Sequence, residues 1–256
     1  MSAPLALLDL DGTLSDSAPG IVRSARAALG ALGLPIPPEQ LLRSFVGPPL
    51  PVALAGHGVP PERVREGIDA YRAEFEAGGM WDSAPFEGIP EQLRLLREAG
   101  VTLAVATSKP EVYARRICAR WGLDVLVDGV FGAPLDHVPS TKATVIAHAL
   151  EKLGPERVPS AARIVMVGDR HHDVAGAAEH GIDCLGAGWG YGEPGELAGA
   201  AGTIAKVADL AHEILAHLAA RSSRSDFTEI PAGPGPALPH VRTGAGISVK
   251  AEAEGE

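Results

Sequence analysis

Four short, predominantly apolar runs constrain this chain more than any other feature. They cover residues 5–8, 101–106, 164–167 and 182–185, and each stops abruptly at polar or glycine-rich residues. Runs of this length and form fit strands buried on both faces of a sheet. Segments with helical spacing precede the later runs. Strands that alternate with helices predict an α/β fold, a Rossmann-like parallel sheet with crossover helices. In such sheets ligands gather at the carboxyl ends of the strands. The polar residues of greatest interest all follow the runs directly.

The stretch from residue 15 to residue 86 breaks the alternation. Residues 21–32 and 62–75 carry apolar side chains at helical spacing, the second after Pro60-Pro61, in keeping with proline at a helix start. The piece around Phe45-Val46-Gly47-Pro48-Pro49 reads as a loop between shorter helices. So long a segment is no simple connection. We expect a small helical domain, residues 15–87, inserted into a core made of residues 1–14 and 88–221, with hinges near 15–17 and 85–88. From residue 222 to 256 the chain is rich in Pro, Gly, Ser and Ala, as in Pro231-Ala232-Gly233-Pro234-Gly235-Pro236. Such a composition buries too little apolar area to order itself, and we expect a disordered tail there.

A formal charge of −10 argues against nucleic acid or an anionic membrane as partner. A phosphorylated substrate would be repelled at long range, so local cations must attract it. Cys118 and Cys184 lie in apolar segments and are expected as reduced thiols rather than a disulfide. The N-terminal apolar run is too short for a signal peptide or a membrane span, and a cytoplasmic location is expected.

The strongest local signal is Asp9-Leu10-Asp11-Gly12-Thr13. Carboxylates at i and i+2 on a strand end point to the same side. Gly12 permits a sharp turn that brings its amide towards an anion. Two carboxylates this close repel unless a cation sits between them or one holds a proton, and both remedies suit phosphoryl transfer. One carboxylate attacks phosphorus; the other protonates the leaving oxygen and later accepts a proton from water. A bare Asp-x-Asp is more often a turn with two solvated aspartates. The apolar strand before this one and the Gly-Thr after it set it apart.

A second cluster, Gly168-Asp169-Arg170-His171-His172-Asp173, follows the run 164–167. Asp169 and Asp173 at i and i+4 can face one pocket and offer the hard oxygens that Mg2+ prefers. Asp173 is equally read as a helix cap, or as both. Thr107-Ser108-Lys109 ends another run, where a hydroxyl and backbone amides suit a phosphoryl oxygen. Lys142 opens a helical segment, 143–153, and would supply positive charge to the transferring group. Adjacent His171 and His172 do not easily face one metal, so a zinc site is not expected. The Trp189-Gly190-Tyr191-Gly192 loop reads as well as a substrate-facing loop as it does as a core-covering turn. Arg43 and the loop at 47–49 are candidates for substrate contact.

These pieces, in this order, resemble the haloacid dehalogenase superfamily over roughly residues 5–218. Its Asp-x-Asp-Gly-Thr motif matches Asp9 to Thr13, its Thr/Ser motif Thr107, its isolated lysine Lys142, and its Gly-Asp-x-x-x-Asp motif Gly168 to Asp173. The resemblance implies that Asp9 is the nucleophile and Asp11 the general acid and base. It implies magnesium held by Asp9, the backbone carbonyl of Asp11, and Asp169, with Thr107 and Lys142 on the phosphoryl oxygens. The insert resembles the small helical cap of phosphoglycolate phosphatases and bacterial 5′-nucleotidases. The implied activity is hydrolysis of a small phosphorylated metabolite under that lid. Segments such as Val165 to Arg170 and Gly188 to Gly192 also resemble bacterial protein tyrosine kinases of the same fold, which implies a protein hydroxyl as the alternative acceptor.

Overall fold

The computed structural model describes residues 2–135 and 140–228. In chain order, β1 (Leu5–Leu8) leads to the two-residue β2 (Ser15–Asp16) and then to four helices. These are α1 (Ala18–Ala31), α2 (Glu39–Leu42), α3 (Leu50–Gly56) and α4 (Val64–Ala77). The chain returns through β3 (Ala84–Pro85) to α5 (Ile89–Glu98), β4 (Thr102–Pro110), α6 (Glu111–Arg120) and β5 (Gly129–Ala133). It ends with α7 (Lys142–Leu153), β6 (Ile164–Gly168), α8 (His171–Ala178), β7 (Asp183–Ala187), β8 (Gly202–Ile204) and α9 (Leu210–Thr228).

Six strands form one sheet in the order β5-β4-β1-β6-β7-β8, every neighbour parallel. The alternation of side chains along β1 explains why both faces are covered. Leu5 and Leu7 join the apolar cluster under α7 and α8, with Val145, Ile146 and Ala177. Ala6 and Leu8 join the cluster under α5, α6 and α9, with Leu93, Ile117 and Ile214. Each of these leucines is fully buried, which stabilises the fold by about 1.5–3 kcal/mol per side chain. The register then sets the site: Leu8 lies level with Val105 of β4 and Val167 of β6. The residues that follow these three strands emerge side by side at the carboxyl edge.

Helices α1 to α4 make up the insert. Its apolar side chains Ile21, Phe45, Leu54, Ile68 and Phe75 are continuous with one of the two core clusters. The two linkers that carry the chain in and out of the insert pair with each other. Ser15 lies opposite Pro85 and Asp16 opposite Ala84 in an antiparallel ladder. No helix among the described residues is long and apolar enough to cross a membrane. Both cysteines are buried free thiols.

Two strands of the sheet escape the sequence pattern. β5 reads Gly-Val-Phe-Gly-Ala and β8 is the three-residue edge segment Gly-Thr-Ile. Helix α9 runs on to Thr228, past residue 222 where the sequence composition suggested that order ends. The remainder of the expected tail lies outside the described residues.

Helix α7 carries Lys142 in its first turn, so its N-terminus must be held firmly. Thr141 Oγ1 accepts the Thr144 N–H at 3.2 Å, and Thr144 Oγ1 accepts the Thr141 N–H at 3.0 Å. This reciprocal cap satisfies two of the helix's otherwise unpaired donors. Thr141→Ala should lower stability by about 0.5–2 kcal/mol, measured by denaturant unfolding, while Thr141→Ser should retain most of it.

Candidate active site

Asp9 is the first residue beyond β1, and its N–H extends the ladder by donating to the Val167 carbonyl at 2.9 Å. Its side chain is buried beside Lys142, whose Nζ lies 2.8 Å from Asp9 Oδ1 and 2.6 Å from Asp173 Oδ1. The ammonium also donates to the Ala106 carbonyl at 3.1 Å, midway along β4. A cation at a helix N-terminus opposes the helix dipole, so the helix itself does not call for Lys142 there. Burial alone would lower its pKa, but the charges of Asp173 and Asp9 outweigh that and hold the amine protonated.

Asp169 follows β6 and is fully buried. Its Oδ2 accepts the Tyr191 N–H at 2.8 Å, while its Oδ1 has no hydrogen-bond partner. Burial, with the charges of Asp9 and Asp173 added, pushes its carboxyl up to about 8. Asp173 fills the capping role and also pairs with Lys142. Its Oδ2 accepts the Arg170 N–H at 3.1 Å at the start of α8, and its Oδ1 holds Lys142. Burial raises its pKa to about 6, against the opposing pull of Lys142.

Asp9, Asp169 and Asp173 each present one carboxylate oxygen, and these lie within 4.8 Å of one another. Asp11 stands apart from that group, with Oδ2 3.0 Å from Lys109 Nζ and a buried, unpartnered Oδ1. Among the described residues, four buried carboxylates therefore face two buried lysines, because the third buried cation, Arg170, is paired with Glu196 at 2.7 Å. Two negative charges remain uncompensated. A hard divalent cation on the Asp9, Asp169 and Asp173 oxygens matches both that charge and the unpartnered Asp169 Oδ1. The donor set fits a metal of the magnesium type.

Several sequence-derived assignments change. Gly12 does not aim its amide at an anion: the N–H donates to the Ser15 carbonyl at 2.9 Å and closes the turn. Glycine is needed here for a left-handed φ of 84° and because a Cβ would sit 2.3 Å from Asp169 Oδ2. The Asp11 carboxylate pairs with Lys109 and lies outside the group of three carboxylates, in keeping with a sequence reading that assigned its backbone carbonyl, not its side chain, to the metal. Arg43 is an exposed side chain 3.9 Å from Glu39 and is absent from the chamber described below. The Trp189-Gly190-Tyr191-Gly192 loop braces the site from behind. Trp189 Nε1 donates to the Thr13 carbonyl at 3.0 Å; the Tyr191 hydroxyl donates to Asp16 and accepts the Ala18 N–H at 3.3 Å.

Thr107 is buried at the site, its Oγ1 accepting the Lys109 N–H at 3.3 Å, and Ser108 faces the chamber. Lys109 is the residue that the sequence reading passed over. It pairs with Asp11 and lies 4.6 Å from the ring centroid of Phe75 in the insert. Its position two residues beyond Thr107, on the same face of an extended strand, was the available signal. Above these groups, core and insert enclose a chamber of about 660 Å3. Asp11, Ser108, Lys109 and Lys142 reach it from the core, and the loop at Gly47, Pro48 and Pro49 reaches it from the insert. His172 also borders it, whereas His171 turns to Glu196 at 3.2 Å.

A family profile of haloacid dehalogenase-like hydrolases matches residues 6–187. Among curated proteins, the tyrosine-protein kinase PtkA of Mycobacterium tuberculosis is 49% identical over 191 residues, 75% of this chain. The match takes in 64% of that protein's length. A 5′-nucleotidase of Pseudomonas aeruginosa is 40% identical over 195 residues, 76% of this chain and 86% of its own. A predicted phosphatase from Clostridium acetobutylicum has a crystal structure that superposes with a TM-score of 0.79 at 36% identity, covering 84% of this chain and 100% of that one. The chain belongs to the haloacid dehalogenase-like hydrolase family.

The charge imbalance predicts a pH signature. Asp169 and Asp173 hold their protons more tightly folded than unfolded, so the metal-free native state binds extra protons between about pH 4 and 8. Its stability should therefore fall as pH rises through that window. A bound cation replaces the proton, so the Tm gap between Mg2+-saturated and chelator-treated protein should widen from pH 5 to pH 8. Asp169→Asn should abolish the gap. A gap that does not vary with pH would contradict this account of the site.

Proposed function

We propose that this chain is a Mg2+-dependent phosphatase that hydrolyses a small phosphomonoester, of the phosphoglycolate or nucleoside monophosphate type, through an aspartyl-phosphate on Asp9. The observation that carries the reading is the grouping of Asp9, Asp11, Lys142 and Asp169 at one strand edge beneath a lidded chamber. The family match and the 5′-nucleotidase relative support it.

In this mechanism Asp9 attacks phosphorus while the P–O bond to the leaving alcohol breaks. Lys142, beside Asp9, offsets charge on the phosphoryl oxygens. Asp11 gives its proton to the departing alkoxide, then takes one from the water that hydrolyses the acyl phosphate, returning Asp9 as a carboxylate. Lys109 holds Asp11 on the chamber side. Mg2+, held by Asp9 and Asp169 with Asp173 beside them, would supply electrostatic stabilisation of the phosphoryl group. The buried Thr107 hydroxyl would orient a phosphoryl oxygen, and the insert would exclude bulk water.

A second reading is favoured by the 49% identity to a tyrosine-protein kinase: the same residues would pass the phosphoryl group to a protein hydroxyl. Free phosphate appearing without any acceptor protein separates the two. Wild type should release phosphate from a panel of phosphomonoesters only with Mg2+, and Asp9→Asn should fall to background. Asp11→Asn should lose about 10²–10⁴-fold in kcat. Full activity in purified Asp9→Asn would overturn the mechanism.

A further inference from the structure

We propose that the phosphorylated compound admitted to the chamber carries an uncharged aromatic ring, as a benzyl-type phosphate or a nucleoside monophosphate does. The inference rests on the phosphatase reading and narrows its substrate class.

The chamber wall is built of rings. Phe45, Tyr71, Phe75 and Tyr113 line it, half of the five Phe and three Tyr in the whole chain. Tyr71 and Phe75 stack with centroids 5.7 Å apart and planes 18° from parallel. Phe75 meets Tyr113 edge-on at 5.4 Å. The three rings form one continuous surface, and Lys109 pins its inner end through the contact with Phe75. A planar ring on the leaving group would stack or pack edge-on against this surface as the protein's own rings do.

The charged groups argue the same way. Among the described residues that line the chamber, Lys142 is held by Asp9 and Asp173, and Lys109 by Asp11. Arg72 donates to the Leu135 carbonyl at 3.1 Å. Glu179 adds a negative charge to the same lining. A carboxylate on the substrate, such as that of 2-phosphoglycolate, would meet two lysines already paired with acids, leaving Arg72 as its candidate partner among these groups. Size agrees as well, for about 660 Å3 lies in the range of roughly 300–1,000 Å3 that accommodates ligands of several rings. A two-carbon acid would leave most of it filled with water.

The test compares pairs matched in leaving group. We would measure kcat/KM for AMP against ribose 5-phosphate, and for benzyl phosphate against ethyl phosphate, with 2-phosphoglycolate as the anionic case. The inference expects at least one ring-bearing compound to exceed its ring-free partner and 2-phosphoglycolate by tenfold or more. The pair that shows the larger ratio identifies the ring as a nucleobase or a simple aryl group. Phe75→Leu, which keeps apolar bulk, should cut that preference at least fivefold through KM.

Equal rates across both pairs, or 2-phosphoglycolate as the best substrate, would overturn the inference while leaving the phosphatase reading intact. Absence of release from every compound would instead sink the phosphatase reading. The ring preference is then read from Tm shifts of Asp9→Asn with Mg2+. Larger shifts with AMP or benzyl phosphate than with 2-phosphoglycolate would support it; equal, smaller or absent shifts would overturn it.

Discussion

Lys142 lies within 3 Å of two buried carboxylates, Asp9 and Asp173, and much of the core is arranged around that three-way contact. Ionised side chains leave water only at a cost of several kcal/mol each, and an ion pair in the interior offsets this only when its geometry is good. Here the geometry is supplied from three elements at once: the end of β1, the start of α7 and the first turn of α8. Removing the ammonium would leave two like charges buried side by side. Helix packing bends to the same need. At Gly176 of α8, a Cβ would meet Lys142 Cβ at 2.7 Å, so the helix carries glycine where it passes the lysine stem. Asp169 and Asp11 then enter an environment with no cation left over for Asp169. Burial and the charges of Asp9 and Asp173 raise the pKa of Asp169, and the shortage of cations accounts for the fit to a divalent ion.

The sheet was largely legible in the sequence because its central strands are buried on both faces and read as unbroken apolar runs. β1, β4, β6 and β7 announced themselves in that way. β5 carries two glycines in five residues, and β8 is an edge segment of three, so neither has a period to detect. The candidate site divides along a similar line. Asp9, Asp11, Asp169 and Asp173 stand out because carboxylates directly after apolar strands are conspicuous. Lys142 had only its position to recommend it. What a linear pattern does not contain is which partner each group takes. The pairing of Asp11 with Lys109, the closing of the Gly12 amide onto Ser15 and the bracing role of Tyr191 all depend on strands far apart in sequence.

Among the contacts that couple the insert to the core, three start beside a residue of the site. Arg170, next to Asp169, donates to the Val46 carbonyl in the loop that borders the chamber. Tyr191, whose N–H holds Asp169, binds Asp16 and Ala18 at the entry to the insert. Lys109, which holds Asp11, lies against Phe75. A change at any of the three would be felt both by the lid and by a carboxylate. Under the proposed function, this physical route would let the position of the insert bear on the chemistry without a separate signalling element.

The same geometry bears on which acceptor takes the phosphoryl group. Under the proposed mechanism Asp9 would attack phosphorus and Asp11 would exchange a proton with whichever oxygen stands in line, so neither would distinguish water from an alcohol or a phenol; that choice would fall to the chamber. A ring wall that accommodates an aromatic leaving group during attack by Asp9 would, in the reverse sense, accommodate a phenol attacking the aspartyl-phosphate. Hydrolysis and transfer to a phenol then differ only in which oxygen occupies the in-line position when the acyl phosphate breaks down. Water gains that position once the leaving alcohol departs. A phenol must displace the water and keep its own ring against Phe75 and Tyr71. The balance between the two outcomes therefore lies with residence of the ring in the chamber, set by the insert, and not with the carboxylates at the strand edge.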